Sequence, residues 1–271
     1  MFSKRLFYVL AASLWILIAT GPCRAEAEKV DKTEKGESAL SGEVSLSALS
    51  AYIWRGQELS RHSLVLQPSF TLNYGGISAD LWGNWDSDPH GEGGERWNET
   101  DVSLFYGGKY RLLNYEIGYM SYNAVGGEDS QEVSLKLGID VPLSPSLTVY
   151  REVMHDLYWY FLLTLSQSFP VSERLSIDLS ASAGYLVSTD SEEYPEVGED
   201  GGVTGGKFNN FHDGTLTVGF PYKILDNVYV TPALSYTFPL CGDARREMKY
   251  FSMTGRDSNF LYGGAIVTYS F

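Results

Sequence analysis

The stretch that decides the fold is Leu64-Val65-Leu66-Gln67-Pro68-Ser69-Phe70-Thr71-Leu72-Asn73-Tyr74-Gly75-Gly76, with the Ile77-Ser78-Ala79-Asp80-Leu81-Trp82-Gly83-Asn84-Trp85-Asp86 that follows it. The even positions from 64 to 74 are Leu, Leu, Pro, Phe, Leu and Tyr, and the odd ones are mostly polar. A period of two belongs to a strand with one apolar face. Gly75-Gly76 signals a tight turn. After it Ile77, Ala79, Leu81, Gly83 and Trp85 alternate with Ser78, Asp80, Trp82, Asn84 and Asp86. Each arm of this hairpin exceeds the globular average of about five or six residues. About ten tilted residues suffice to cross the hydrocarbon layer of a membrane.

The pattern recurs to the end of the chain. It predicts strands over 43–55, 63–74, 77–86, 99–111, 114–123, 130–141, 146–154, 157–169, 174–187, 212–223, 226–238 and 259–271, twelve in all. Connections alternate between short turns and longer segments (56–62, 87–98, 124–129, 188–211, 239–258). Short turns on one side and long loops on the other are expected of an outer-membrane barrel. The strand 146–154 holds a misfit, because strict parity faces Arg151 to lipid; a bulge there is expected. A soluble sandwich or an eight-stranded calyx fits less well. The apolar rows are long and end in aromatics, whereas the opposite rows carry Ser, Thr, Gly, Asp and Lys, as in a wet lumen. The expected fold is an all-β, twelve-stranded antiparallel transmembrane β-barrel of the bacterial outer membrane.

The composition agrees. The 271 residues are 44% hydrophobic and 14% aromatic, with 19 tyrosines, which argues against a disordered chain. No apolar run of about 20 residues follows the N-terminus, so helical membrane spans are not expected. The net charge of -14 disfavours nucleic acid as a partner. Residues 1–25 read as a cleaved export signal, with Lys4 and Arg5 ahead of an apolar run from Leu6 to Thr20. Its loss removes three bases and no acid, leaving 17 bases against 34 acids and one cysteine, Cys241. Residues 26–42 read as a flexible periplasmic leader, and 43–271 as the barrel. The final strand places Val267, Tyr269 and Phe271 on one row. A terminal Phe in such a row resembles the recognition signal of outer-membrane proteins, so the barrel-assembly machinery is an expected partner, with outer-membrane lipid.

Tyr52-Ile53-Trp54-Arg55-Gly56, then Gln67-Pro68-Ser69, then Trp82-Gly83-Asn84-Trp85 resemble the TorF-type family of outer-membrane porins. There an aromatic-Arg-Gly element ends the first strand and a glycine- and Trp-rich strand follows. The resemblance is most specific over residues 50–86. It implies an outer-membrane barrel and passive transport, and it supplies no catalytic residues.

Three sets of residues invite chemistry. The histidines are His62, His90, His155 and His212. A lipid hydrolase needs a His beside a Ser nucleophile. No His here is followed two residues later by a Ser on the same strand face, so no catalytic residue is expected. The second set is the acidic clusters around Asp86–Asp101 and Asp190–Asp200. They read as solvated loops, and no metal site or cofactor is expected, because no Cys/His cluster has zinc-ligand spacing. The third set is the lumen row. By parity Arg55, Asp80, Asp101, Lys109, Arg111, Glu116, Glu132, Lys136, Asp140 and Asp178 point inward. Six acids against four bases give a modest cation bias. Arg111 and Glu116 are expected to pair, leaving Asp80, Asp101 and Asp140 with fewer partners. The expected function is a narrow passive pore for small hydrophilic solutes, weakly cation-selective. The alternatives are a surface binding or structural barrel with acidic loops, and an outer-membrane lipid hydrolase.

Overall fold

A computed structural model describes residues 40–60, 63–89, 95–125, 129–154, 157–191, 193–253 and 257–271. Twelve long strands follow one another around a closed barrel: β1 (Ser41–Leu49), β2 (Val65–Tyr74), β3 (Ile77–Asp86), β4 (Trp97–Tyr110), β5 (Leu113–Ala124), β6 (Ser130–Ile139), β7 (Ser146–Glu152), β8 (Trp159–Pro170), β9 (Ser176–Val187), β10 (Asn209–Gly219), β11 (Val228–Pro239) and β12 (Phe260–Ser270). Every strand pairs antiparallel with its chain neighbour, and β12 closes on β1 from Ser270 opposite Glu43 to Gly264 opposite Leu49. Closure leaves no sheet edge with unpaired backbone groups, which is the condition for strands to cross a bilayer. No helix among the described residues is long and apolar enough to cross one. The 146–169 segment is a hairpin, as expected, with β7 and β8 in register from Arg151 opposite Trp159 to Ser146 opposite Thr164.

The barrel is inside out relative to a soluble protein. Leu81, Leu104, Ile117, Leu135, Leu163, Leu179, Leu216, Leu234 and Val267 all point outward and are exposed. Outward aromatics mark both margins of this belt. Tyr74, Tyr110, Phe169, Tyr222 and Tyr269 lie towards the short-turn end, and Trp97, Trp159, Phe211 and Tyr236 towards the other. An apolar band between two aromatic girdles is the exterior of a membrane barrel.

Both strand ends and connections refine the sequence reading. Residues 171–175, 140–145, 111–112 and 75–76 turn at the end that holds Ser41 and Ser270. Gly75 and Gly76 have φ of 59° and 85°, the left-handed values that a two-residue hairpin turn needs. The turn expected at Ile224-Leu225 falls instead at Asp226-Asn227. Tyr222–Leu225 carries the line of β10 on against β11 after a break at Phe220-Pro221. Arg151 needs no bulge. Its strand pairs without a shift on both sides, and the side chain faces outward at the far end of β7. There its guanidinium lies 5.0 Å from the centre of the Trp159 ring and donates to the Leu157 carbonyl. At the margin rather than the midplane, an outward Arg is tolerated.

The largest departure is at the long-loop end. β1 stops at Leu49, not at residue 55, and the chain then turns into the lumen. The connection 239–258, expected to be irregular, contains a helix, α1 (Gly242–Phe251). The connection 188–211 contains a two-stranded ribbon, 195–197 with 203–207. Tyr194, Val197 and Phe208 are buried, whereas the tip and nearly all of the second strand, 203–207, are exposed.

Candidate functional site: a lumen closed by an infolded hairpin

Residues 53–54 and 57–58 form a miniature hairpin, with Trp54 opposite Gln57 and Arg55-Gly56 at its tip. Both tip residues have positive φ, 42° for Arg55 and 81° for Gly56. Such a turn favours glycine, and a side chain at Gly56 would also meet the Cβ of Asp213 at 2.9 Å. The hairpin therefore ends in Arg-Gly because Arg carries the contact and Gly lets the backbone close against the wall. Ser60 Oγ accepts from the Tyr52 amide at 2.7 Å and ties the base of the hairpin together.

The tip docks on the opposite wall. Arg55 Nη1 donates to Glu132 Oε1 at 2.6 Å and Nη2 to Oε2 at 2.8 Å, a bidentate pair with both side chains essentially inaccessible. Tyr158 and Tyr122 donate to the same carboxylate at 2.6 and 2.9 Å. The guanidinium carbon lies 4.4 Å from the ring centre of Tyr160, 4.5 Å from Trp54, 4.7 Å from Tyr150 and 5.5 Å from Tyr158. Cation–π attraction is strongest where water is excluded, as here. Burial works against the charge on Arg55. Glu132 and the phenols outweigh it and hold the guanidinium above its ordinary value.

A second cluster fixes the hairpin to α1 and β10. Gln57 Nε2 donates to Glu247 Oε1 at 3.1 Å, and Ser252 Oγ donates to Glu58 Oε2 at 2.6 Å. His212 sits between two carboxylates, with Nδ1 3.0 Å from Asp213 and Nε2 2.6 Å from Glu247. Tyr160 donates to Asp213 at 2.9 Å. His212 and Asp213 are adjacent in sequence yet both reach inward. The register between β9 and β10 shifts there, so that the pair opposes Gly184 alone. Gly184 is itself required, since a Cβ would come within 2.4 Å of the Tyr160 hydroxyl. Trp54, Tyr158, Tyr160, Met248, His212, Glu132 and Glu247 are 0% exposed, so the long-loop half of the lumen is filled. Towards the short turns the inward residues are partly exposed, and an open cavity of about 350 Å³ reaches Asn73, Ser78, Phe105, Gly107 and Glu116.

The structure separates the ten residues of the predicted lumen row. Arg55 and Glu132 come together, Arg55 from the hairpin rather than from a strand. Asp80 is inward and accepts from Thr71 Oγ1 at 2.5 Å and Ser69 Oγ at 3.1 Å. Asp101 is inward, opposite Trp82 and Tyr122. Asp178 accepts from Ser168 at 2.6 Å and Ser176 at 3.1 Å. Glu116 stands opposite Lys136 across β5 and β6. The expected Arg111–Glu116 pair does not form. Tyr110 pairs with Leu113, so Arg111 is a turn residue with φ of 56° and no cross-strand neighbour. Its guanidinium lies over the exposed Tyr110 ring at 5.4 Å, outside the lumen row. Asp140 is not short of a partner either. It pairs with Lys109 at the short-turn mouth, where both are half-exposed.

Glu99, read from sequence as the flank of a solvated loop, is buried on the inner face of β4 beside Asp101. Asp80 Oδ1, Glu99 Oε1 and Asp101 Oδ2 are buried without a hydrogen-bond partner, and none of the three acids makes an ion pair among the described residues. Tyr52 reaches this acidic wall from the hairpin; burial, then Glu99 and Asp101, push its phenol up. Val267, Tyr269 and Phe271 lie on one outward row, with the Tyr269 and Phe271 rings stacked at 5.9 Å. His62, His90 and His155 lie outside the described residues, as do residues 1–39 and Glu192.

No family model matches the sequence, and no curated protein is similar to it. Among solved structures the chain is similar to the NanC porin, with a TM-score of 0.52 and 11% identity over 85% of this chain and 98% of that one. It is also similar to the COG4313 outer-membrane channel of Pseudomonas putida F1, with a TM-score of 0.45 and 10% identity over 91% and 100% of the two chains. LpxR of Salmonella typhimurium aligns with a TM-score of 0.45 and 9% identity over 84% and 99%. The first likeness shows the fold, that of an outer-membrane β-barrel, and the other two are too distant to add an argument.

Proposed function

We propose that the chain is an outer-membrane pore for small hydrophilic solutes, held closed from the outside by the hairpin at residues 52–59. The observation that carries this reading is the docking of Arg55 on Glu132. The wall supplies a finished polar surface, and the connection between β1 and β2 supplies the stopper. Strands with a permanently filled lumen need no charged latch, because well-packed apolar side chains fill such a space at equal or lower free energy. The signal at residues 1–25, the short-turn end and the terminal Phe271 support export, a periplasmic short-turn side and insertion by the assembly machinery. The resemblance of residues 50–86 to TorF-type porins agrees with transport. It also needs one amendment, since the aromatic-Arg-Gly element forms the stopper rather than the end of the first strand.

Selectivity follows from which charges are spent. Arg55 is committed to Glu132 and Lys109 to Asp140, while Asp80, Glu99 and Asp101 face no committed base. Once the hairpin leaves and water reaches them, such acids in a narrow lumen favour cations. The filled outer half also favours the surface-module reading, in which the lumen never conducts. Among the described residues a lipid hydrolase is less well supported, because both ring nitrogens of His212 are held by carboxylates rather than by a hydroxyl. Single-channel recording in planar bilayers tests the proposal. Stepwise openings support the pore, and silence of a correctly folded barrel supports the surface module.

A further inference from the structure

We infer that the Glu132 pocket is a binding site for the guanidinium group of a solute, and that Arg55 is its built-in occupant. This rests on the pore reading above and names the chemistry of what the pore admits.

The pocket belongs to the wall. Glu132 comes from β6, Tyr122 from β5, Tyr150 from β7, Tyr160 from the start of β8 and Tyr158 from just before it. The cation comes from a different element, the infolded hairpin. What the wall offers is a complete receptor for a planar cation. One carboxylate takes two parallel N–H groups at 2.6 and 2.8 Å. Two phenols hold that carboxylate in place from the far side, at 2.6 and 2.9 Å. Tyrosine faces line the space around the guanidinium, Tyr160 and Tyr150 at 4.4 and 4.7 Å. Bidentate geometry and ring faces select guanidinium over a compact ammonium ion.

Arg55 is not an ideal guest. Its backbone is held at a φ of 42°, a region costly for a residue with a side chain. Its Nε, and the Trp54 Nε1 beside it, are buried without a hydrogen-bond partner. A solute guanidinium carries no backbone constraint and leaves no buried indole behind. It can therefore compete for Glu132 and displace the hairpin, so that the solute to be admitted also releases the stopper. Asp80, Glu99 and Asp101 lie on the same lumen surface.

The test uses the full chain in detergent micelles, agmatine as the guanidinium probe and N-carbamoylputrescine, which keeps the ammonium group and replaces the guanidinium with a neutral urea, as the control. The first readout is deuterium uptake by the amides of residues 50–60, which reports withdrawal of the hairpin and needs no conduction. Agmatine should raise that uptake in the wild-type barrel, and N-carbamoylputrescine should not. The second readout is calorimetric binding of agmatine to Arg55→Met, in which the competing guest is gone. Binding should weaken by at least about tenfold in Arg55→Met/Glu132→Gln, since the charged hydrogen bonds to the carboxylate are lost. Should either variant fail to form a heat-modifiable barrel, the wild-type uptake decides alone. Uptake that agmatine leaves unchanged, or binding to Arg55→Met that survives the loss of Glu132, overturns the inference. Agmatine-driven uptake in a barrel that never conducts upholds the guanidinium site and removes the pore reading instead.

Discussion

Glu132→Ala is the perturbation with the largest expected effect on the lumen. In the closed state the Glu132 carboxylate accepts four hydrogen bonds, two from Arg55 and one each from Tyr122 and Tyr158. Without it, the guanidinium is left among rings with the Tyr158 hydroxyl as its acceptor. Removing one partner of a buried ion pair costs about 3–5 kcal/mol, because the other charge stays desolvated. No discount for solvent applies, since the two side chains are 1% and 0% exposed. Here the penalty falls on the closed state alone. Glu132 is a lumen residue of a strand whose ladder remains intact, and Arg55 regains water as soon as the hairpin leaves. At about 1.4 kcal/mol per decade, the ratio of open to closed barrels should rise by about two to three and a half decades. Open probability of single barrels in planar bilayers measures this directly, with heat-modifiability on gels as the check of folding. Tyr158→Phe removes one bond to the same carboxylate and should shift the ratio by about one to two decades. An open probability that does not change in a folded Glu132→Ala barrel would refute the latch.

Three further expectations follow from the wall, the seam and the rim. Replacing Asp80 and Asp101 together with Asn should reduce cation selectivity at low salt without unfolding the barrel, because both face the lumen; the reversal potential across a KCl gradient reads this, and no shift between wild type and double mutant counts against the assignment. Deleting Phe271 should leave export intact and reduce insertion, since the outward Val267–Tyr269–Phe271 row loses its last ring; normal amounts of heat-modifiable barrel would contradict it. Protease added to intact cells should cut at the exposed tip Asp200–Gly202 of the ribbon and spare its buried base at Tyr194 and Phe208; full protection until the outer membrane is opened would reverse the orientation.

The barrel was legible because a strand in a membrane wall obeys one rule throughout. Each residue faces lipid or lumen, and Leu81, Leu104, Leu135 and Leu163 each sit in an unbroken period of two. The same rule set the limits of the reading. At Ser50 the period ends, and nothing local says that the chain turns inward rather than outward. Arg55 finds its partner 77 residues later in sequence, a contact that no window contains. The left-handed backbone at Arg55-Gly56 was signalled only by the glycine. His212 and Asp213 were hidden by the bulge opposite Gly184, since parity assigns adjacent residues to opposite faces. α1 was missed for a different reason. Ala244, Glu247 and Met248 share one buried face at helical spacing, but the helix is short and is capped by Cys241, an uncommon N-cap. Arg111 failed on a single residue of strand length, enough to move it from the lumen row to the turn.

The central claim is that this lumen conducts once the hairpin leaves it. Replacing residues 52–59 with a short Gly-Ser linker removes Arg55, Trp54 and the contacts of Gln57 and Glu58 while leaving every barrel strand in place. Single-channel recording of that variant beside the wild type is the decisive measurement. The account predicts rare, brief openings of the wild-type barrel and sustained stepwise conductance of the variant. A variant that folds, inserts and stays as silent as the wild type would contradict it.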